Sequence, residues 1–108
     1  GHPAAGCLVA EDADGPAGFL LWGVEEEFGD YVLPENRLVG RLSDLWVEPR
    51  ARGCGLARRL VRAAEAHLAA HGIARVEVSA LPANRDALAA YAALGYSPAL
   101  VTLAKRTG

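Results

Sequence analysis

Cysteine is scarce in this chain. Cys7 and Cys54 stand far apart with no metal-ligand spacing, so neither a disulfide scaffold nor a metal site is expected. Two reduced thiols in a cytoplasmic protein is the simplest reading. No apolar run reaches the ~20 residues that cross a bilayer, and no cleavable signal pattern opens the chain, so no membrane partner is expected. An excess of positive charge is missing too: the net charge is −2 and the pI near 5.9, which argues against a nucleic-acid partner. Histidine offers little. His2 belongs with Gly1 to what reads as a tag remnant, and His67 and His71 fall on a helix face or end, so no Ser/His/Asp set is suggested. Internal repeats, linkers and low-complexity tracts are also absent.

What remains is a chain of 108 residues, 52% of them apolar, which fits one globular domain spanning 1–108. Residues 7–11 read as a strand, Asp12–Pro16 as a turn, and Ala17–Glu25 as a second strand, together a hairpin. The apolar run Phe19, Leu20, Leu21, Trp22 and Val24, weakened only by Gly23, suits a strand covered on both faces. An acidic, loop-like stretch follows, with Glu25, Glu26, Glu27, Phe28 and Tyr31, then Pro34-Glu35-Asn36. A third strand is expected over about 39–48, with Leu42, Asp44 and Trp46 on one face and Ser43, Leu45 and Val47 on the other. Leu56, Leu60, Val61, Ala64 and Leu68 recur at three/four spacing and predict a helix that stops at Gly72. Residues 73–81 alternate as a strand. Asn84 is a plausible cap for a helix over 85–94, Gly95 ends it, and a last strand is expected from Tyr96 to about Lys105. The order β-β-β-α-β-α-β predicts an α+β fold, a mixed sheet with helices packed on it.

The organising stretch is 43–64. An apolar strand runs into a Pro/Gly loop and then directly into an Arg- and Ala-rich helix. Glycines at 53 and 55 let a ligand approach the main chain, and the first helical turn has amide hydrogens without intrahelical partners. Those donors and the positive end of the helix dipole converge on one point, ringed by Arg50, Arg52, Arg58, Arg59 and Arg62. That is a site for a phosphorylated ligand. The bland alternative is a tight turn with a solvated basic face. No Lys-Ser or Lys-Thr follows the glycines, which excludes a nucleoside-triphosphate loop, and Arg58 stands where a dinucleotide fingerprint needs glycine.

Arg52-Gly53-Cys54-Gly55-Leu56-Ala57 resembles the R/Q-x-x-G-x-G/A loop of the GNAT superfamily of N-acetyltransferases, and Leu45-Trp46-Val47-Glu48-Pro49 resembles what that family places before it. Asn84 to Tyr96 resembles the family's later motif, N-x-x-A-x-x-x-Y-x-x-x-G-[FY]. The resemblance covers roughly residues 42 to 96. It implies acetyl-CoA as cosubstrate, no metal, and an amine-bearing acceptor. Gly53, Cys54, Gly55, Leu56, Ala57 and Arg58 would donate to the pyrophosphate, with Arg52 in the same loop. Leu45, Trp46 and Val47 would contact the cofactor chiefly through backbone, and an amide near Leu45 or Val47 would polarise the thioester carbonyl. Asn84 would hold the pantetheine arm and Tyr91 would protonate the leaving thiolate. Taken singly, Asn84 is equally a helix cap and Tyr91 a core tyrosine.

The proton acceptor is less defined. Relatives of the polyamine-acetylating type often have Glu-Asp where this chain has Ser43-Asp44, so Asp44 is the nearest carboxylate; its other reading is an ion pair beside Arg41. Glu25, Glu26 and Glu27 could relay a proton or attract a cationic amine, although a charge run is more often solvated. Family members usually begin with a further strand and helices that nothing before residue 7 supplies. The chain then reads as an excised piece, a naturally short member or one completed by a partner subunit, and an incomplete sheet edge favours pairing with another chain, a homodimer among the options. The alternative to an enzyme is a non-catalytic acyl-CoA-binding module.

Overall fold

The computed structural model describes residues 2–27, 32–34 and 37–108. Phe28, Tyr31, Glu35 and Asn36 of the acidic loop lie outside the described residues. Strand β1 (Gly6–Asp12) pairs antiparallel with β2 (Gly15–Glu26), which pairs antiparallel with β3 (Leu38–Val47). Helix α1 (Leu56–Ala70) then leads to β4 (Arg75–Val78), which lies parallel to β3, and helix α2 (Arg85–Ala93) follows. The sheet order is β1-β2-β3-β4, the mixed sheet expected from an antiparallel meander feeding a βαβ unit.

The apolar stripe of α1 makes the core. Leu60, Val61, Ala64 and Leu68 are buried against Leu20, Trp22, Leu42 and Ile73. Burying each large side chain contributes roughly 1.5–3 kcal/mol. The helix sits very close to the sheet at Gly40, where an added Cβ would stand 2.5 Å from Leu68 Cδ1. The first residues also join this core: Ala4 is fully buried, and its carbonyl accepts the Trp22 indole N–H at 2.7 Å. His2 Nδ1 in turn accepts the Ala4 N–H at 3.0 Å.

Three expectations need correction. The strict alternation over 39–48 is broken by a bulge: Leu21 pairs with Asp44 but Trp22 pairs with Leu42, leaving Ser43 as the extra residue. Leu42 and Leu45 therefore both pack toward the α1 core, while Asp44 and Trp46 share the opposite face. Ser43 Oγ donates to the Leu21 carbonyl at 3.1 Å and fastens the bulge.

Second, the Phe19–Val24 run is covered on one face only by the described residues. Leu20 and Trp22 are buried, whereas Val9, Leu21 and Trp46 on the other face are 58%, 36% and 45% exposed. Third, no strand forms over Tyr96–Lys105. Residues 96–108 have no regular structure, and Leu100 and Leu103 are 87% and 90% exposed. A strand is stable only beside another, and no described strand runs along this segment; Pro98 also lacks an amide donor.

Candidate functional site

The loop after β3 is braced from both sides. A short 3-10 turn (Pro49–Ala51) follows Glu48, whose N–H donates to Ala17 O at 2.8 Å. Arg50 reaches back to the β1–β2 turn, donating to the Asp12 carboxylate and, at 2.8 Å, to Pro16 O. Arg52 donates from Nε to Val47 O at 2.9 Å, with its guanidinium 4.9 Å from the centre of the Trp46 ring. Cys54 Sγ donates to Ala51 O at 2.8 Å. Two of the five arginines thus hold the loop in shape. Arg58 and Arg59 are exposed around the helix start, and Arg62 lies 3.9 Å from Glu65.

The start of α1 carries no cap. Gly55 stands at φ 80°, a left-handed conformation that a side chain would strain, and no side chain accepts from the first-turn amides. The first bond back is Arg59 N–H to Gly55 O at 3.1 Å, which leaves the amides of Leu56, Ala57 and Arg58 without helical acceptors. Leu56 and Ala57 border a cavity of about 120 Å³, lined also by Val47, Ala51, Arg52, Gly53 and Gly55. Unpaired amides, the dipole's positive end and nearby guanidinium groups make this an anion-accepting corner.

Next to it the sheet opens. The β3–β4 pairing runs only from Val39↔Arg75 to Leu42↔Val78, ending one residue before the bulge at Ser43. Among the described residues, 43–47 therefore have no strand partner on that side. The Glu48 N–H and its even-numbered neighbours face β2, so Leu45 and Val47 turn their main chain the other way; the Val47 carbonyl already meets Arg52 there. The opening holds a second cavity of about 470 Å³, lined by Leu45, Ala57, Ser79, Ala80, Leu81, Asn84, Ala87, Ala90, Tyr91 and Leu94. Ala57 borders both cavities, so the corner at the helix start and the opening between the strands adjoin at this residue.

Helix α2 supplies the far wall. Asn84 caps it, its Oδ1 accepting the Ala87 N–H at 3.1 Å, and the amide NH₂ of Asn84 has no partner among the described residues. Tyr91 lies on the same face two turns later, half-buried, and makes no side-chain hydrogen bond among the described residues. Burial pushes its hydroxyl above the ordinary 10.0, so it holds its proton at neutral pH. Of the two described tyrosines, the one with a satisfied hydroxyl is instead Tyr96, which donates to Glu65 Oε2 at 2.8 Å. Burial and that bond push the Tyr96 hydroxyl up as well.

Asp44 is exposed across the strand from Leu21 and has no ion-pair partner among the described residues. Arg41 is engaged elsewhere: it lies 2.9 Å from Glu25, 3.3 Å from Glu27 and 3.0 Å from Glu77, and Arg75 joins Glu77 at 2.7 Å. The Glu25 contact is one of charge, since Arg41 Nε is not aligned for a hydrogen bond there. Two members of the acidic run are thus committed to a cross-strand cluster beside the paired end of β3, away from both cavities. Neither this cluster nor the Tyr96–Glu65 bond follows from local pattern, because their members lie far apart in the chain.

A search of curated proteins finds no match. Among solved structures, the aminoglycoside N-acetyltransferase AAC(6')-Iy in complex with CoA has a TM-score of 0.81 at 18% identity, covering 99% of this chain and 78% of that one. AAC(6')-IG from Acinetobacter haemolyticus gives 0.77 at 22% identity, over 99% of this chain and 74% of that one. Glucosamine-6-phosphate N-acetyltransferase from Arabidopsis thaliana gives 0.72 at 21% identity, over 94% and 66%. At these identities the likeness is one of fold. The Acetyltransferase (GNAT) family profile matches residues 1–96, most of the chain, and with it the chain belongs to that family.

Proposed function

We propose that the chain is an acetyl-CoA-dependent N-acetyltransferase acting on a primary amine of a small molecule or a protein. The observation that carries this reading is the pair of cavities that adjoin at Ala57, one beside the uncapped amides and the other with a protonated tyrosine in its wall. The diphosphate of the donor would take the amides of Leu56, Ala57 and Arg58 beside Gly53, Cys54 and Gly55. Its amide-bearing arm would lie along the open edge of Leu45, Trp46 and Val47 and against the NH₂ of Asn84. Arg52 would act by holding the loop to β3.

The amine nitrogen attacks the thioester carbonyl carbon, and the oxygen that gains charge meets the Leu45 or Val47 N–H. Collapse breaks the carbon–sulfur bond, and the thiolate takes the Tyr91 proton. The surplus proton of the new amide leaves to water, and Asp44, the carboxylate next to Ser43, would be its acceptor from the other sheet face. Much of the rate would come from holding the two reactants in line. The neighbours named above act on aminoglycosides and glucosamine 6-phosphate, and a further AAC(6')-Iy structure holds a bisubstrate analogue joining CoA to acetylneamine. A compact cationic amine is accordingly the first acceptor class to test. The same reading takes residues 1–108 as one domain, working in the cytoplasm and pairing into a homodimer.

The test is thiol release from acetyl-CoA with neamine, glucosamine 6-phosphate, spermidine and a lysine peptide. Release with at least one amine is expected, and Tyr91→Phe should lower kcat roughly a hundredfold. A second reading, a non-catalytic acyl-CoA-binding module, is favoured by serine at position 43 and the unpartnered exposure of Asp44. It predicts CoA binding without release from any amine. Calorimetry without heat on adding CoA would remove both.

A further inference from the structure

Helix α2 carries Asn84 and Tyr91 but is lightly held. None of its residues is fully buried, and only Tyr91, with Leu94 and Tyr96 just beyond the helix end, packs at the edge of the core. Among the described residues, one side-chain hydrogen bond joins the stretch 84–96 to the rest of the molecule: Tyr96 to Glu65 of α1. The other end of that link leads directly to Tyr91. The helix closes with Gly95 N–H on Ala92 O and Tyr96 N–H on Tyr91 O, each at 3.0 Å, the arrangement in which the residue past the glycine packs on the third from last. Here that packing is an edge-to-face contact of the Tyr91 and Tyr96 rings, with centroids 5.6 Å apart. Tyr96 is thus bound to Tyr91 by main chain and ring, and to α1 by its hydroxyl.

We infer that Tyr96 and Glu65 form a positioning pair that sets where Tyr91 stands in the cavity facing Leu45. The inference rests on Tyr91 being the proton donor of the proposed reaction. Glu65 is half-buried on α1, the helix that also presents the uncapped amides. One hydroxyl–carboxylate bond therefore fixes the distance between the helix that holds the donor's charged end and the tyrosine that must meet its sulfur. An aromatic ring alone at position 96 would fill the same space without fixing it.

The experiment measures kcat and KM for acetyl-CoA with the panel amine that turns over fastest, in the intact chain and in Tyr96→Phe, Glu65→Leu and Glu65→Gln. Tyr96→Phe and Glu65→Leu should each lower kcat roughly tenfold and leave KM within about twofold, because misplacement of a reacting group lowers rate more than binding. Glu65→Gln keeps an acceptor oxygen and should retain most of the rate. In the Tyr91→Phe background, Tyr96→Phe should have no further effect on kcat. An equal loss in both backgrounds, or none in either single variant, would overturn the positioning role while leaving the proposed reaction standing. No turnover with any amine, or an unchanged kcat in Tyr91→Phe, overturns both.

Discussion

Helix α1 buries four of its fifteen residues and begins at a glycine with no side-chain cap, whereas α2 buries none of its nine and begins at Asn84, whose carboxamide accepts the Ala87 N–H. The difference divides labour. Burial of Leu60, Val61, Ala64 and Leu68 stabilises α1 enough that its first amides can stay open to a ligand. A short helix with little burial is marginal by itself, so α2 keeps its cap and its glycine-closed end. The helix secured through its side keeps a chemically open end, and the helix secured through its ends presents a chemically open side.

The comparison can be broken most severely at Leu68. Leu68→Ala should destabilise the chain by about 2–5 kcal/mol, while Leu88→Ala on the exposed part of α2 should change stability by less than about 0.5 kcal/mol; denaturant titration of both checks this. Next in size is the open helix start. Gly55→Glu should weaken CoA binding roughly tenfold or more by calorimetry, since a carboxylate there competes for the amides and repels phosphate. Gly55→Ala separates the backbone strain, about 1–2 kcal/mol, from the charge.

A smaller effect is expected at the capped start. Asn84→Ala should cost about 1 kcal/mol, visible as faster amide exchange across Arg85–Ala93 with α1 unaffected. The smallest concerns the brace on the loop before α1. Arg50, foremost, and the Asp14 amide hold the Asp12 carboxyl below its ordinary 3.8. A depressed folded value adds stability that is complete above the unfolded value and is lost as pH falls through the folded one. Asp12→Asn should therefore reduce the fall in melting temperature between about pH 5 and pH 2, with little change in the fall above that range.

Much of this was legible in the sequence, for reasons particular to each element. The three/four spacing from Leu56 to Leu68 defines α1 because a 3.6-residue repeat has no other simple reading, and Asn84 and Gly95 bracket α2. The loop 52–58 and the Asn84–Tyr91 face were readable because each is local, a few residues in fixed order. The bulge at Ser43 was not, since nothing in Leu-Ser-Asp-Leu marks an extra residue until its partner strand is known. The segment after Tyr96 has the composition of a strand, but composition reports willingness to pair and says nothing of a partner. Arg41 with Glu25, Glu27 and Glu77, and Tyr96 with Glu65, are meetings across 14 to 36 positions that only the folded sheet and helices arrange.

The extra residue in β3 has a consequence for how related chains should be compared. A pleat with one residue inserted turns over downstream of the insertion, so Asp44 and Trp46 face water where an uninterrupted count would turn them inward. Removing a single residue there would swing the Trp46 ring toward α1 and carry Leu45 outward, inverting the wall of the larger cavity without altering any other letter. In this stretch the number of residues decides sidedness, and an alignment that slips by one will attribute each contact to the wrong side of the sheet.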